Sequence, residues 1–216
     1  MQLPIRKAPP KREPHDLLRG VLEGDGAAQA EVWDVYAPVL RGVLRRSLGP
    51  WAEVEDLLQD VFLTFFRVAS TLRDPAALRP FLIGIAMRVA RGELRKRRVR
   101  RWFFLTDDGN VPDAPAPAGD DEAREAVRRL YAILDRLDAE SRLAFVLRHI
   151  EGLELEEVAR SLDLSLATTK RRLAKVVPVV EARVRADALL ARYAEESSST
   201  DDDAPLFGRR LAEGGK

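Results

Sequence analysis

A proline-rich acidic segment interrupts the chain near its middle. Residues 107–121 read DDGNVPDAPAPAGDD, with three prolines, two glycines and five aspartates. Proline cannot propagate a helix, and a polar stretch without large apolar residues cannot bury a core. We therefore interpret the segment as a linker and expect one folded unit on each side of it. A fully extended linker of this length reaches about 50 Å, so the two units could contact distant sites on one large partner.

Both flanking units show the apolar spacing of amphipathic helices, and no strand-like alternation rivals it. One helix is predicted over Ala27–Leu48, and another from Trp51 to about Thr71, with Pro50 at its first position. Apolar stripes at steps of three or four residues mark the predicted buried faces: Val54, Leu58, Val61, Phe65 and Val68, and then Leu78, Leu82, Ile85 and Val89.

Domain boundaries are placed where this periodicity begins and ends. The predicted segments are a disordered N-terminal extension at 1–15, a helical domain at 16–104, the linker at 105–120, a second helical domain at 121–195 and a disordered acidic tail at 196–216. Pro178 is expected to interrupt a helix of the second domain, because proline lacks the backbone N–H that a helix interior uses.

Composition excludes several function classes. The 216 residues include no cysteine, which excludes a disulfide scaffold, a cysteine nucleophile and a thiolate metal site. The two histidines, His15 and His149, lie too far apart to suggest a local zinc motif. No run approaches about 18 apolar residues, and the first residues lack the apolar stretch of a signal peptide. We therefore expect a cytoplasmic protein with no membrane insertion and no metal or other cofactor.

Three carboxylates, Glu55, Asp56 and Asp60, are predicted to lie near one helix face. Such a group could suggest acid–base catalysis or a metal site, but no histidine is near it and the chain has no glycine-rich phosphate loop. We expect no catalytic residue and interpret the carboxylates as a solvated face or a docking surface. His149, near a predicted helix C-terminus, is assigned a structural role.

Positive charge is concentrated in one segment, although the chain as a whole has 36 basic and 35 acidic residues. Residues 88–101 hold eight basic side chains and one acidic side chain. Arg88, Arg91, Arg95 and Arg98 follow at steps of three or four residues, so they line one helix face. An anionic partner such as a nucleic acid would relieve their mutual repulsion. The alternative interpretation is a solvated helix end.

Residues 154–176, ELEEVARSLDLSLATTKRRLAKV, have the pattern of two helices joined by a tight turn. The turn is predicted at Asp163-Leu164-Ser165, with Ser165 as the N-cap of the second helix. That helix is expected to bury Leu166, Thr169, Leu173 and Val176, and to present Thr168, Lys170, Arg171, Arg172 and Lys175 outward.

Hydroxyl and cationic side chains on such a helix suit a DNA major groove, and the alternative is a basic solvated helix in an ordinary bundle. The sequence therefore predicts an all-α fold of two small helical domains joined by an acidic, proline-rich linker, the C-terminal domain containing a helix-turn-helix.

Three blocks, in this order, resemble the extracytoplasmic-function (ECF) group of alternative sigma factors of bacterial RNA polymerase. The block from Glu55 to Leu63, EDLLQDVFL, is similar to the family's polymerase-docking helix. The block LRPFLIGIAMR, which begins at Leu78 and continues into the arginine-rich end at Arg101, is similar to its promoter-melting segment. The block from Leu134 to Leu173 resembles its C-terminal helix-turn-helix domain. The resemblance covers about 16–104 and 121–190.

The resemblance implies a non-catalytic subunit that binds core RNA polymerase, at the clamp coiled coil and the flap, and directs transcription initiation at promoter DNA. It implies an anti-sigma factor as a further partner. The polymerase-binding residues that it implies are Glu55, Asp56, Leu57, Gln59, Asp60 and Phe62. Those implied for reading and melting the minus-ten element are Arg73, Arg79, Phe81, Arg88, Arg91, Arg95 and Arg98. Those implied for reading the minus-thirty-five element are Ser165, Thr168, Thr169, Lys170, Arg171, Arg172 and Lys175.

The sequence departs from the family pattern at several positions. Phe81 stands where the family usually has tryptophan, and Arg88 where it has asparagine. Asp163 replaces a turn glycine, Asp138 replaces a proline, and Thr169 replaces a core valine. The departures at Phe81, Arg88 and Thr169 keep one alternative open, a sigma-like interaction protein that acts as an anti-sigma decoy. A second alternative is a stand-alone helix-turn-helix transcription regulator, but the Glu55–Phe62 block and the arginine stripe argue against it, because such a regulator needs neither.

Overall fold

The predicted all-α fold is confirmed. A computed structural model describes residues 12–49, 52–103 and 121–198, and within these ranges the regular structure is helical, with no strand. The linker predicted at 105–120 and most of the two predicted extensions lie outside the described residues. The helices are α1 (Pro14–Leu22), α2 (Gly26–Leu48), α3 (Glu55–Val68), α4 (Leu78–Phe103), α5 (Asp121–Leu134), α6 (Ala139–Phe145), α7 (Leu155–Leu162), α8 (Leu166–Ala186) and α9 (Ala188–Ser198).

The N-terminal domain consists of α1 to α4, with two short 3-10 turns between α3 and α4. Helices α2, α3 and α4 pack around one apolar core, and α1 lies against α2. The stripe predicted on α3 is buried at Leu58, Val61 and Phe65, and the stripe predicted on α4 is buried at Leu82 and Ile85. Removing these side chains from water is the main force that holds the four helices together.

Helix α3 begins later than predicted. Its first residue is Glu55 rather than Trp51, and residues 52–54 are described but not helical. Val54 is already buried in the core ahead of the helix. Two acidic residues then occupy the first turn, where the positive end of the helix dipole favours negative charge. Pro50, predicted as the first helical position, lies outside the described residues.

The ends of the helical regions also differ slightly from the predicted boundaries. The first helix starts at Pro14 rather than Asp16, with proline in the first turn, where its missing N–H costs nothing. The last helix continues to Ser198, three residues beyond the predicted domain end at 195.

The C-terminal domain consists of α5 to α9, and α6 continues into a π-helical turn at Val146–Ile150. Helix α8 runs unbroken through Pro178, so the predicted interruption there is wrong. Proline removes the hydrogen bond to the carbonyl of Ala174, four residues earlier. Both residues are exposed, so water can bind the carbonyl that the helix leaves unpaired.

The two domains pack against each other, chiefly where α4 meets α6 and α7. Arg46 on α2 forms a bidentate ion pair with Glu151, and the Arg46 carbonyl accepts a 2.8 Å hydrogen bond from the Tyr131 hydroxyl. Arg142 is 2% exposed and donates from Nε to the carbonyl of Ser47 at 2.8 Å. The two domains are therefore in contact, although the length of the linker would also allow them to lie far apart.

Candidate nucleic-acid and polymerase interfaces

The predicted helix-turn-helix is confirmed in α7 and α8. A capping box opens α7, and in it the Glu157 carboxylate accepts from the backbone N–H of Glu154 at 3.2 Å. Asp163 takes the left-handed conformation, with φ 56° and ψ 47°, which aspartate tolerates better than most residues. Ser165 then caps α8 by accepting from the backbone N–H of Thr168 at 3.1 Å. The turn therefore occupies the three predicted residues.

One face of α8 presents three cations to solvent. Lys170, Arg171 and Lys175 are exposed, and none of the three forms an ion pair within the described part of the chain. Thr168 is half-buried, and its hydroxyl lies 2.8 Å from that of Ser165. Unpaired cations beside a hydroxyl can meet DNA phosphates and base edges without first breaking an internal contact.

Thr169 and Arg172, also predicted to bind DNA, do not belong to this exposed face. Thr169 is 0% exposed, and its hydroxyl donates to the carbonyl of Ser165 at 3.1 Å, so the prediction of a direct DNA contact is wrong for Thr169. Its helical register points it into the domain core. Arg172 turns toward the start of α6, where it contacts Asp138 and Glu140.

The arginines predicted to line α4 have two different environments. Arg88, Arg95 and Arg98 are exposed, and no ion pair joins them to any other described residue. Arg91 is half-buried and donates from Nη2 to the carbonyl of Leu162, the last residue of α7, at 2.9 Å. The predicted anion-binding face is therefore open at three positions, while a contact between the domains engages the fourth.

The residues predicted to hold a DNA strand also include three around the start of α4. Arg73 and Arg79 are exposed. Phe81 is half-buried and lies edge-on to Phe65, with ring centroids 6.4 Å apart. A ring that is held by a neighbour and still partly exposed can offer a stacking face to an unpaired base.

The acidic face predicted on α3 is open to solvent. Asp56, Gln59 and Asp60 are exposed. Glu55 is exposed as well and accepts two hydrogen bonds from Arg41, at 2.7 and 3.0 Å. The hydrogen bonds from Arg41 hold the pKa of Glu55 below its usual value. This face can therefore present carboxylates and an amide to a basic partner surface.

The apolar residues of α3 divide differently from the prediction. Leu57 is half-buried, whereas Phe62 is 2% exposed and packs on Trp33 with ring centroids 4.5 Å apart. Phe62 is thus a core residue, and its assignment to the docking surface is wrong. Leu63 is 65% exposed and was not among the predicted site residues. The sequence did contain a signal for it, because Leu63 is out of phase with the buried stripe of α3.

Three further features of the described residues concern metal-binding groups, membrane-spanning helices and the environment of His149. No group of three or more histidine, aspartate and glutamate side chains within the described ranges could hold a metal ion. None of the described helices is both long and apolar enough to cross a membrane. His149 stacks on Phe145 with ring centroids 4.9 Å apart, and burial lowers its pKa. The contact with Phe145 was not predicted, and burial disfavours the cation that the position of His149 near a helix C-terminus suggested.

Comparison with known proteins matches both domains to one family. Residues 32–100 match the model of sigma-70 region 2, and residues 127–177 match the model of sigma-70 region 4. The ferric citrate uptake sigma factor FecI of Escherichia coli is 32% identical over 144 residues, which are 64% of this chain and 80% of FecI. The ECF RNA polymerase sigma factor SigX of Bacillus subtilis is 30% identical over 154 residues, which are 68% of this chain and 79% of SigX.

A solved structure of CnrH in complex with the cytosolic domain of CnrY shares the fold, with a TM-score of 0.58 and 22% identity. The match covers 81% of this chain and 99% of that chain. With both domain models in the expected order and relatives matched over most of their length, the chain belongs to the ECF family of RNA polymerase sigma factors, which direct promoter-specific transcription initiation.

Proposed function

We propose that the two domains divide promoter recognition, the N-terminal domain reading and opening the minus-ten element and the C-terminal domain reading the minus-thirty-five element. The observation that carries this proposal is the exposed face of Lys170, Arg171 and Lys175 on the second helix of the helix-turn-helix. In proteins with this motif, the second helix enters the major groove with its N-terminal residues toward the base edges. The cap at Ser165 gives α8 a defined start from which these side chains project.

For the minus-ten element, the supporting observation is that α4 carries both exposed arginines and a partly exposed aromatic ring. Arg88, Arg95 and Arg98 would hold strand phosphates, with Arg73 and Arg79 extending the positive surface toward the start of α4. Phe81 would stack on an unpaired base. Extrusion of a base costs a few kcal/mol, and stacking on an aromatic ring recovers about 1–3 kcal/mol.

For polymerase binding, we propose that Asp56, Gln59 and Asp60 dock on the clamp coiled coil of core RNA polymerase, with Glu55 and Leu57 at the margin. The C-terminal domain would contact the flap. The protein would act in the cytoplasm as a specificity subunit without catalytic activity of its own. CnrH, which shares the fold, was solved with the cytosolic domain of CnrY. We propose that a protein partner, an anti-sigma factor, also binds this chain.

The test is transcription with purified core polymerase and fragmented DNA from the source genome, with transcript starts mapped in the presence and absence of this protein. We expect new starts that share two upstream elements at fixed spacing. Polymerase binding without new starts would instead favour the anti-sigma decoy. DNA binding without polymerase binding would favour the stand-alone regulator.

Two variants separate the proposed surfaces on a mapped promoter. Asp60→Arg should abolish co-purification with core polymerase, whereas Glu23→Arg, an equal charge change at an exposed site after α1, should not. Arg171→Ala combined with Lys175→Ala should keep polymerase binding and lose at least tenfold in promoter affinity, because two charged DNA contacts are removed. Arg185→Ala removes an exposed cation at the far end of the same helix, away from the proposed DNA face, and serves as the control for each single substitution. Unchanged transcription in the double variant would contradict the assignment of α8 to DNA.

A further inference from the structure

Arg172 lies on α8 among the proposed DNA-binding cations, but its guanidinium is directed into the protein. Nη2 donates to the Glu140 carboxylate at 2.6 Å, and Nη1 donates to the Asp138 carboxylate at 3.1 Å and to the Ser141 hydroxyl at 3.3 Å. The side chain is 25% exposed. It therefore has three acceptors on one neighbouring segment, whereas Lys170 and Arg171 have no ion pair within the described residues.

The acceptors of Arg172 are themselves fixed by the start of α6. Asp138 is the N-cap of α6 and accepts from the backbone N–H of Ser141 at 3.0 Å. Glu140 lies in the first turn of that helix, where negative charge is favoured by the helix dipole. A planar guanidinium can donate to two carboxylates at once, which the single ammonium of lysine does less well. Arg172 thus joins the beginning of α6 to the middle of the proposed recognition helix.

We propose that Arg172 is a positioning residue, which sets the orientation of α8 against α6 and supports promoter binding through Asp138 and Glu140 rather than by contacting DNA. This inference rests on the proposed reading of DNA by α8. It divides the cations of that helix into Lys170, Arg171 and Lys175, which would meet DNA, and Arg172, which holds their helix in place.

The salt dependence of promoter binding distinguishes the two roles. The slope of log affinity against log salt concentration is negative, and each phosphate contact that is lost lowers the magnitude of this slope by about 0.9. With holoenzyme on the mapped promoter, Lys175→Gln should lower the magnitude of the slope by about that amount. Arg172→Gln should lower affinity by roughly tenfold, as expected when charge-assisted hydrogen bonds are lost, and leave the slope unchanged.

A charge exchange tests the partner directly. Arg172→Glu alone and Glu140→Arg alone should each weaken promoter binding by about tenfold or more, because each places like charges together. The double variant Arg172→Glu with Glu140→Arg restores an ion pair at the same place. Its promoter affinity should return to within about threefold of the original, since a restored pair recovers most of the lost interaction. Urea unfolding of each variant identifies any loss that reflects global destabilisation.

The outcomes separate this inference from the proposed function. If Arg172→Gln lowers the magnitude of the salt slope as Lys175→Gln does, or if the charge exchange fails to restore binding, Arg172 is not a positioning residue, while α8 still reads DNA. If Lys175→Gln and the Arg171 and Lys175 double variant leave promoter binding unchanged, the proposed function of α8 fails, and the inference fails with it.

Discussion

At the scale of single residues, burial decides what a side chain can do more strongly than its chemical type does. Phe62 and Thr169 both lie within segments whose family pattern suggested a binding role, and both are in the core. Arg172 is as basic as Arg171, yet it is held by two carboxylates. The periodicity of α8 did place Thr169 on the buried face, and it is the family resemblance that assigned the residue to DNA.

His149 makes the stability of the protein depend on pH in a defined direction. Burial, and then the neighbouring Arg148, lower its pKa from the usual value of 6.5. Below pH 6.5 the unfolded chain therefore binds a proton that the folded chain resists, so stability present above that pH is lost on acidification. We expect the free energy of unfolding in urea to fall between pH 7.5 and 5.5. His149→Phe, which keeps a ring against Phe145, should show a smaller fall.

The carboxylates titrate in both proteins and supply the common background in this comparison. An identical fall in the original protein and in His149→Phe would show that the imidazole of residue 149 does not contribute to the pH dependence.

At the scale of elements, the sequence predicted the helices well where residue spacing and capping residues directly determine the structure. The buried stripes of α3 and α4 and the turn between α7 and α8 follow from spacing and capping, which are visible in the sequence. The start of α3 at Glu55 and the passage of α8 through Pro178 were missed. Val54 is buried ahead of α3, and Pro178 faces water on α8, and both positions are set by packing rather than by the local sequence.

The turn of the helix-turn-helix offers a prediction at this scale. Asp163 is the only described residue other than glycine with a positive φ. Because this conformation costs a residue with a Cβ about 1 kcal/mol, less for aspartate than for most, Asp163→Gly should raise the free energy of unfolding by up to about 1 kcal/mol. Asp163→Ala, which keeps the Cβ and loses the polar group, should lower it by a similar amount.

Urea unfolding of the two Asp163 variants beside the original protein provides the measurement. A glycine variant that is less stable than the original protein would show that the aspartate side chain stabilises this turn by more than its left-handed backbone conformation costs.

At the scale of the whole molecule, the arrangement of the domains could not be predicted from the sequence. The ion pair between Arg46 and Glu151 joins residues 105 positions apart, and no periodic pattern relates them. The sequence predicted two units and a linker long enough for either separation or contact. Contact depends on the complementarity of two surfaces, in which Arg142 and Tyr131 both donate to backbone carbonyls at the end of α2.

The Arg46–Glu151 pair should hold the two domains together in solution. Glu151→Arg places two cations in a contact where Glu151 is 11% exposed, so we expect the domains to separate. The radius of gyration from small-angle X-ray scattering should then rise well above that of the original protein. Arg46→Glu combined with Glu151→Arg should restore the original value. An unchanged radius in Glu151→Arg would show that the remaining contacts between the domains suffice to hold them together.

The hydrogen bond from Arg91 to the Leu162 carbonyl has a consequence for any affinity measured on the free protein. Arg91 was also predicted to bind DNA, and its guanidinium donates to a carbonyl of the other domain, so Arg91 can turn to a promoter phosphate only where this contact between the domains opens. The dissociation constant observed for every promoter is then divided by the same fraction of open molecules. Promoters tested against the isolated chain would keep their rank order, and all of them would bind more weakly by one common factor.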